Sequence, residues 1–389
     1  MKKIISVLLM ITVILTFAGC GSSNNILSSE SAEESDKDVS NSNISDQSDA
    51  LLDVQQFAKQ YGLSRMYADD DYVLFAGMLD KQVHMGLMNV ISGQLKTSQV
   101  FSDISDFSNI DIFKGRYVLY TDNKFMVLNE NLEVEDEISF TGHEEFSAFS
   151  HGLNKNYCVD PNTKTIYYCR TDIYENDTWY MGLYQTDYQF QDQKLLFKTT
   201  ANTENQYQLN NFVEMSCSYD GSLLYFTGEY ITASSDQFKM CYGVYDLGKN
   251  TLSELKTTKV QMEMRPFLNG CLYFDSENNN VKENRNGYAD IFYNDGTFEK
   301  FQFNQNLESG NVYISADGAN ICSNIIDDKE EVIKNSLHIY DSSSGEIIKQ
   351  FDVDNFIEWL IVVKDKVYIS VCDTDGEYTL KSYEMEEVK

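Results

Sequence analysis

Ser218-Tyr219-Asp220-Gly221-Ser222-Leu223-Leu224-Tyr225-Phe226 sets the reading of the whole chain. An acid–glycine pair is followed at once by an aliphatic and aromatic run. Asp accepts backbone N–H bonds and Gly reaches positive φ without steric cost, so the pair predicts a tight turn feeding a strand. Comparable runs return at Tyr72-Val-Leu-Phe, Tyr117-Val-Leu-Tyr, Ile166-Tyr-Tyr-Cys, Cys271-Leu-Tyr-Phe, Asn320-Ile-Cys-Ser and Lys366-Val-Tyr-Ile. Successive starts fall 45, 49, 57, 48, 49 and 46 residues apart. Strand-only units of that length predict an all-β fold, a seven-bladed β-propeller of four-stranded antiparallel blades.

Each unit divides into four strands, a to d. Turn residues precede strand b throughout: Asp69-Asp70-Asp71, Lys114-Gly115, Asp160-Pro161-Asn162, Asp220-Gly221, Asn269-Gly270, Asp317-Gly318 and Lys364-Asp365. Strand c follows, with polar and apolar positions alternating in Leu337-His338-Ile339-Tyr340. The blades fall near 64–103, 104–141, 145–200, 211–258, 264–304, 309–353 and 355–389, within a propeller domain covering 51–389. The seventh unit ends after strand c, so a ring-closing element is expected within 51–69. Leu51, Val54, Ala58 and Tyr61 have helical spacing and Gly62 would stop a helix, which predicts a short helix over 51–61 and a first strand over Ser64–Ala68. Strand exchange and simple packing both remain open as ways to close the ring.

The segments Ser218–Phe226 and Ser315-Ala316-Asp317-Gly318 resemble the Ser-x-Asp-Gly turn of TolB-type, WD-like propellers. Val244-Tyr245-Asp246 and Ile339-Tyr340-Asp341-Ser342-Ser343-Ser344-Gly345 resemble that family's strand c and exit turn. The resemblance implies a fold and carries no catalytic residues, because this turn is structural.

The N-terminus is a different kind of sequence. Lys2 and Lys3 precede an apolar stretch from Ile4 to Phe17, too short for a comfortable membrane span, which ends in Phe17-Ala18-Gly19-Cys20. This is similar to the lipobox of bacterial lipoproteins. The resemblance implies a signal peptide over 1–19, lipid on Cys20, and an extracytoplasmic protein anchored to the cell membrane. Residues 20–50 follow as a linker with ten serines, seven acids and one lysine. Such a tract buries too little apolar surface to order itself and is expected to act as a disordered leash. Its r.m.s. reach is about 30 Å.

Formal charge is −31. Setting aside the signal lysines and the net −6 of the leash leaves −27 on the propeller. A field of that sign repels nucleic acid and suits a basic protein or peptide. Of eight cysteines, Cys20 is assigned to lipid. No C-x-x-C spacing occurs, and Cys169, Cys271, Cys322 and Cys372 lie in the recurring strand b, where they read as small buried fillers.

Recognition is expected on the face carrying the b–c connections, which are long in units three to six: 170–178, 228–237, 275–286 and 324–335. Candidate binding residues there are Tyr174, Trp179, Tyr230, Phe238, Glu277, Arg285, Asp327 and Asp328. No catalytic set, cofactor motif or metal motif emerges. His143-Glu144-Glu145 lacks the second histidine of a zinc-hydrolase helix, and Ser253-Glu254-Leu255-Lys256 lies in a predicted strand rather than on a helix turn. Asp373-Thr374-Asp375-Gly376-Glu377 reads as an Asp-Gly hairpin rather than a calcium loop. The expected role is a membrane-anchored binding or scaffolding module for a protein, peptide or glycan. The alternatives are a hydrolase or lyase with its site at the channel mouth, or an accessory subunit of an envelope complex. Oligomeric state is not legible.

Overall fold

The computed structural model describes residues 54–389 apart from 64, 105–106, 108, 122, 144–155, 176–177, 200–206, 233–234, 259–261, 276–287, 304–311, 328–333, 354–355, 374 and 386–389. Cys20 and the linker lie outside the described residues.

One helix, α1 (Val54–Tyr61), precedes seven antiparallel sheets. Blade one is β1 (Arg65–Ala68), β2 (Tyr72–Leu79), β3 (Gln82–Asn89) and β4 (Leu95–Phe101). Blade two is β5 (Asn109–Phe113), β6 (Arg116–Tyr120), β7 (Lys124–Asn129) and β8 (Val134–Ser139). Blade three is β9 (Tyr157–Asp160), β10 (Thr165–Glu175), β11 (Thr178–Asp187) and β12 (Lys194–Lys198). Blade four is β13 (Tyr207–Cys217), β14 (Leu223–Thr232), β15 (Ser235–Asp246) and β16 (Thr251–Thr258). Blade five is β17 (Met262–Phe267), β18 (Gly270–Asp275), β19 (Tyr288–Tyr293) and β20 (Phe298–Gln302). Blade six is β21 (Val312–Ile314), β22 (Asn320–Asp327), β23 (Lys334–Asp341) and β24 (Ile347–Val353). Blade seven has three strands among the described residues: β25 (Phe356–Val363), β26 (Lys366–Cys372) and β27 (Tyr378–Glu384). The chain is a seven-bladed β-propeller.

Turn chemistry explains the local order. Asp220 Oδ1 accepts the hydroxyls of Ser218 and Ser222, each at 2.7 Å, and the Ser222 N–H at 3.0 Å. Ser218 Oγ in turn accepts the Leu223 N–H at 2.9 Å. Blade six repeats the arrangement around Asp317: Ser315 Oγ donates to it at 2.5 Å, the Ala319 N–H at 3.0 Å, and Ser315 Oγ accepts the Asn320 N–H at 2.9 Å. Gly221 and Gly318 hold φ values of 72° and 82°, positions that a side chain would strain. In blade one the two-residue b–c turn is made without glycine, by Asp80 and Lys81 at positive φ.

The core is divided into apolar clusters between successive blades rather than gathered at one centre. Tyrosines bridge those seams with their hydroxyls. Tyr120 of β6 accepts the Val159 N–H of β9 at 3.1 Å. Tyr273 of β18 accepts the Phe226 N–H at 3.1 Å and donates to the Gly243 carbonyl at 2.8 Å. A buried ring whose hydroxyl is satisfied by a neighbour's backbone supplies both apolar area and register between blades.

Ring closure is by packing. Blade seven has no strand from the N-terminal segment among the described residues. Instead α1 is wedged between blades seven and one: Val54, Phe57 and Ala58 join Ile361, Val363 and Leu380 on one side and Val73, Phe75, Met88 and Leu95 on the other. Gln55 Nε2 donates to the Leu380 carbonyl of β27 at 2.6 Å, and Tyr61 stacks on His84 of β3 with ring centroids 4.0 Å apart. Beyond the helix, Trp359 Nε1 donates to the Met66 carbonyl at 2.6 Å, Ser370 Oγ to the Leu63 carbonyl at 3.1 Å, and Lys364 pairs with Asp71. No helix among the described residues is long and apolar enough to cross a membrane.

Candidate functional site

The expected long b–c loops of blades three and four are β-ribbons. β10 and β11 run on as a ladder to Glu175 opposite Thr178, and β14 and β15 to Thr232 opposite Ser235. The outer strand β16 pairs as far as Met240, and among the described residues no strand of the blade edges the ribbon beyond it on that side. On its other side β13 follows it out, with Tyr207 opposite Thr232. β-branched and aromatic residues in these stretches (Thr171, Ile173, Tyr174, Tyr230, Ile231, Thr232) favour a pleated ribbon over an irregular loop.

The candidate residues distribute unevenly on that face. Tyr174 and Trp179 are cross-strand partners near the tip of the first ribbon, and Tyr174 is 53% exposed. Phe238 stands opposite Ile231 in the second ribbon, and Asp327 closes β22 opposite Lys334. Tyr230 is buried in the apolar cluster of blades two to four, so its ring serves the core. Glu277, Arg285 and Asp328 lie outside the described residues.

A second set, which the sequence reading missed, gathers on the innermost strands. These are the first strands of each sheet, and side chains from blades distant in sequence meet there. Ser216 of β13 donates to Asp111 of β5 at 3.4 Å, joining blade four to blade two. Tyr120 donates to the same carboxylate at 2.8 Å. Nearer the a–b turns, Tyr219 of blade four and Tyr117 of blade two each donate to Asp69 of blade one at 3.3 Å. These chords tie the a–b end of the channel together across the ring. Burial pushes the Asp69 carboxyl above its ordinary value, although it accepts bonds from the Asp70 N–H and both phenols.

On the first strands of blades five, six, seven and one, two cations flank a pair of rings. Arg265 of β17 lies 5.6 Å from the centroid of Tyr313 on β21, Tyr313 packs edge-on to Trp359 of β25 at 6.1 Å, and Trp359 faces Arg65 of β1 at 5.9 Å. Tyr67 lies 6.2 Å from Trp359 and donates to Asn109 of β5 at 3.4 Å. Arg265 Nη2 donates to Glu263 at 2.6 Å, its guanidinium also lies in the field of Glu214, and its Nε is buried with no hydrogen-bond partner among the described residues. Burial raises the Tyr313 phenol to about 12 despite the lowering effect of Arg265, so it stays protonated at neutral pH and can donate a hydrogen bond.

Two of these residues are aimed by bulges. The register of β13 shifts between Phe212 and Glu214, and that of β25 between Ile357 and Trp359, whereas β1, β5, β9, β17 and β21 pair without a shift. A bulge adds one residue and re-aims the side chain after it, and bulges concentrate beside functional sites. The only sequence signal was a charged residue interrupting a short apolar strand a, as in Ile110-Asp111-Ile112 and Met262-Glu263-Met264-Arg265. No histidine of the described residues belongs to the belt. His84 is stacked at the ring seam, His338 is buried beside Tyr340, and His143 stacks on Phe190. Asp373, in the oxygen-rich C-terminal turn, accepts the N–H groups of Asp375 and Glu377 at 2.9 and 2.8 Å, as a hairpin carboxylate does. The belt can stack on planar groups, accept hydrogen bonds from cations and donate to carbonyls.

No protein-family profile and no curated protein matches the chain. Among solved structures it is similar to an oligogalacturonate lyase from Vibrio parahaemolyticus, at 10% identity over 82% of this chain and 87% of that one, with a TM-score of 0.50. It is also similar to a prolyl endopeptidase at 10% identity and a TM-score of 0.50, over 84% of this chain and 48% of that one, about half the enzyme's length. TolB from Acinetobacter baumannii matches at 15% identity over 81% of this chain and 77% of that chain, with a TM-score of 0.32. At these identities the likeness extends to the propeller fold alone.

Proposed function

We propose that the chain is a lipid-anchored extracytoplasmic propeller that binds a basic protein or peptide across its b–c face and into the channel. The signal-like segment ending at Cys20 and the acidic leash after it support the anchor. The observation that carries the binding reading is the pair of bulges that turn Glu214 and Trp359 among the innermost strands, beside Glu263, Arg265 and Tyr313. Three acids on or beside the belt, Asp111, Glu214 and Glu263, offer acceptors to lysine or arginine side chains, and the rings offer stacking surfaces. The ribbons bearing Tyr174 and Trp179 extend the contact area outward. An enzymatic reading draws on the same Asp111, Arg265 and Tyr67, and on the enzymes among the fold's neighbours.

The chain has two tryptophans, Trp179 and Trp359, both in the proposed contact region, so intrinsic fluorescence reports on it directly. Titration of the detergent-solubilised full chain with an arginine-rich peptide at low salt is expected to change the emission. Trp359→Phe should remove most of that change, and added salt should weaken binding. Emission indifferent to the peptide would refute the basic-ligand reading, and turnover of a substrate panel without a protein partner would favour the enzyme. Cys20→Ala is expected to move the protein out of the membrane fraction; continued retention would refute the lipid anchor.

A further inference from the structure

Cys158 and Cys217 differ from the other thiols in what they face. Cys158 lies in β9 and Cys217 ends β13, so they sit on the innermost strands of neighbouring blades. Their Sγ atoms are 3.4 Å apart and both residues are buried. That is sulfur–sulfur contact across a blade seam; a disulfide bond is about 2.0 Å long, so side-chain rotation and a small approach would close it. The two strands are held in place from both sides. Tyr120 accepts the Val159 N–H at 3.1 Å, and a Cβ at Gly221 would stand 2.8 Å from Asp160 Oδ2, so the turn after β13 is pressed against the end of β9. Cys169, Cys271 and Cys322 sit instead on the second strands of blades three, five and six, where thiols act as small apolar fillers.

We propose that Cys158 and Cys217 form a disulfide that staples blade three to blade four. The oxidant is a disulfide compound, small or carried by a thiol oxidoreductase. One cysteine thiolate attacks a sulfur of the oxidant, breaks its S–S bond and expels one thiol. The second cysteine then attacks the mixed disulfide and expels the other. Two protons and two electrons pass from the protein thiols to the oxidant, which leaves as two thiols. Burial pushes the Cys217 thiol well above its ordinary value, with Cys158 adding to the effect, so the closed ring is a poor substrate for exchange. Oxidation therefore belongs to folding, before the two blades close over the sulfurs, and the finished bond is shielded from reductants. The inference rests on the inter-blade geometry and is independent of the ligand proposed above.

The test is oxidative refolding of the full chain in detergent, from the reduced and denatured state, in a mixture of reduced and oxidised glutathione. A non-reducing digest is expected to contain one linked pair of peptides carrying Cys158 and Cys217, about 2 Da lighter than their sum. Of the seven cysteines after Cys20, two fewer should react with alkylating reagent in denaturant. The oxidised protein should melt roughly 5 °C above the reduced one. Cys158→Ser and Cys217→Ser should each abolish both differences and match the reduced wild type under reducing conditions. Full alkylation of both cysteines after oxidative refolding, or linkage to other cysteines, overturns the proposal. The wild-type digest decides this even if a variant does not fold.

Discussion

Single carboxylates act in opposite directions in this protein, according to what surrounds them. Burial would raise the Asp220 carboxyl, but the hydroxyls of Ser218 and Ser222 and the Ser222 N–H outweigh it and hold the group below its ordinary value. Its contribution to stability is therefore full above the unfolded value near 4 and is lost as pH falls through the lower folded value. Asp220→Ala is expected to cost about 1–2 kcal/mol at pH 7, discounted for the exposure of the turn. The gap in urea midpoint between variant and wild type should narrow steadily as pH is lowered below about 4; a gap that does not change with pH would show that the carboxylate charge is not what the turn uses. Asp69 runs the other way. Burial raises it, so its effect on stability declines as pH rises from the unfolded value near 4 through its folded value.

Among the elements, α1 carries a role out of proportion to its eight residues. It stands at the joint between the last blade and the first, where blade seven has three strands among the described residues. Its C-terminal end leaves no room: a Cβ at Gly77 in β2 would lie 1.9 Å from the Gly62 carbonyl oxygen and 2.6 Å from that of Tyr61. Backbone cannot yield as a flexible side chain would, so Gly77→Ala is expected to cost about 2–3 kcal/mol by pushing the helix off the blade. Phe57→Ala empties the space over Gly86 and Leu95 and is expected to cost about 3–5 kcal/mol. Hydrogen exchange should quicken in α1 and β27 of both variants before it does in β14. Wild-type stability in Gly77→Ala would mean that the helix does not close the ring. The helix was legible from the spacing of Leu51, Val54, Ala58 and Tyr61 and from Gly62, and the ring-closing role of this segment from the seventh unit; packing rather than strand exchange was not, because it depends on contacts with Ile361, Val363 and Leu380 more than 300 residues away along the chain.

At the scale of the whole molecule, a formal charge of −31 opposes compaction. Raising salt from about 0.01 to 0.15 M shortens the screening length from about 30 to 8 Å. The melting temperature should therefore rise over that range, by calorimetry at neutral pH. A flat or falling profile would indicate that ion pairs such as Lys364–Asp71 and Arg116–Glu135 outweigh the self-repulsion. The order of the blades was legible because each is built from contacts between residues close in sequence, and the Asp-Gly turns mark it off. The candidate face was legible only in part. Tyr174 pairs with Trp179 near the tip of the first ribbon and is exposed, whereas Tyr230 alternates inward along β14 and is buried.

Short-range chemistry is what the chain alone determined: turns that need a carboxylate acceptor and a positive φ, strands that need alternating or β-branched residues, and a repeat near 48 residues that stacks them radially. The tertiary structure decided everything that happens where the strands converge. Asp69 meets Tyr219 across 150 residues, Asp111 meets Ser216 across 105, and Cys158 meets Cys217 across 59. The side chains in such meetings carry no common local pattern, because the ring brings them together through the summed rotation of the blades between them.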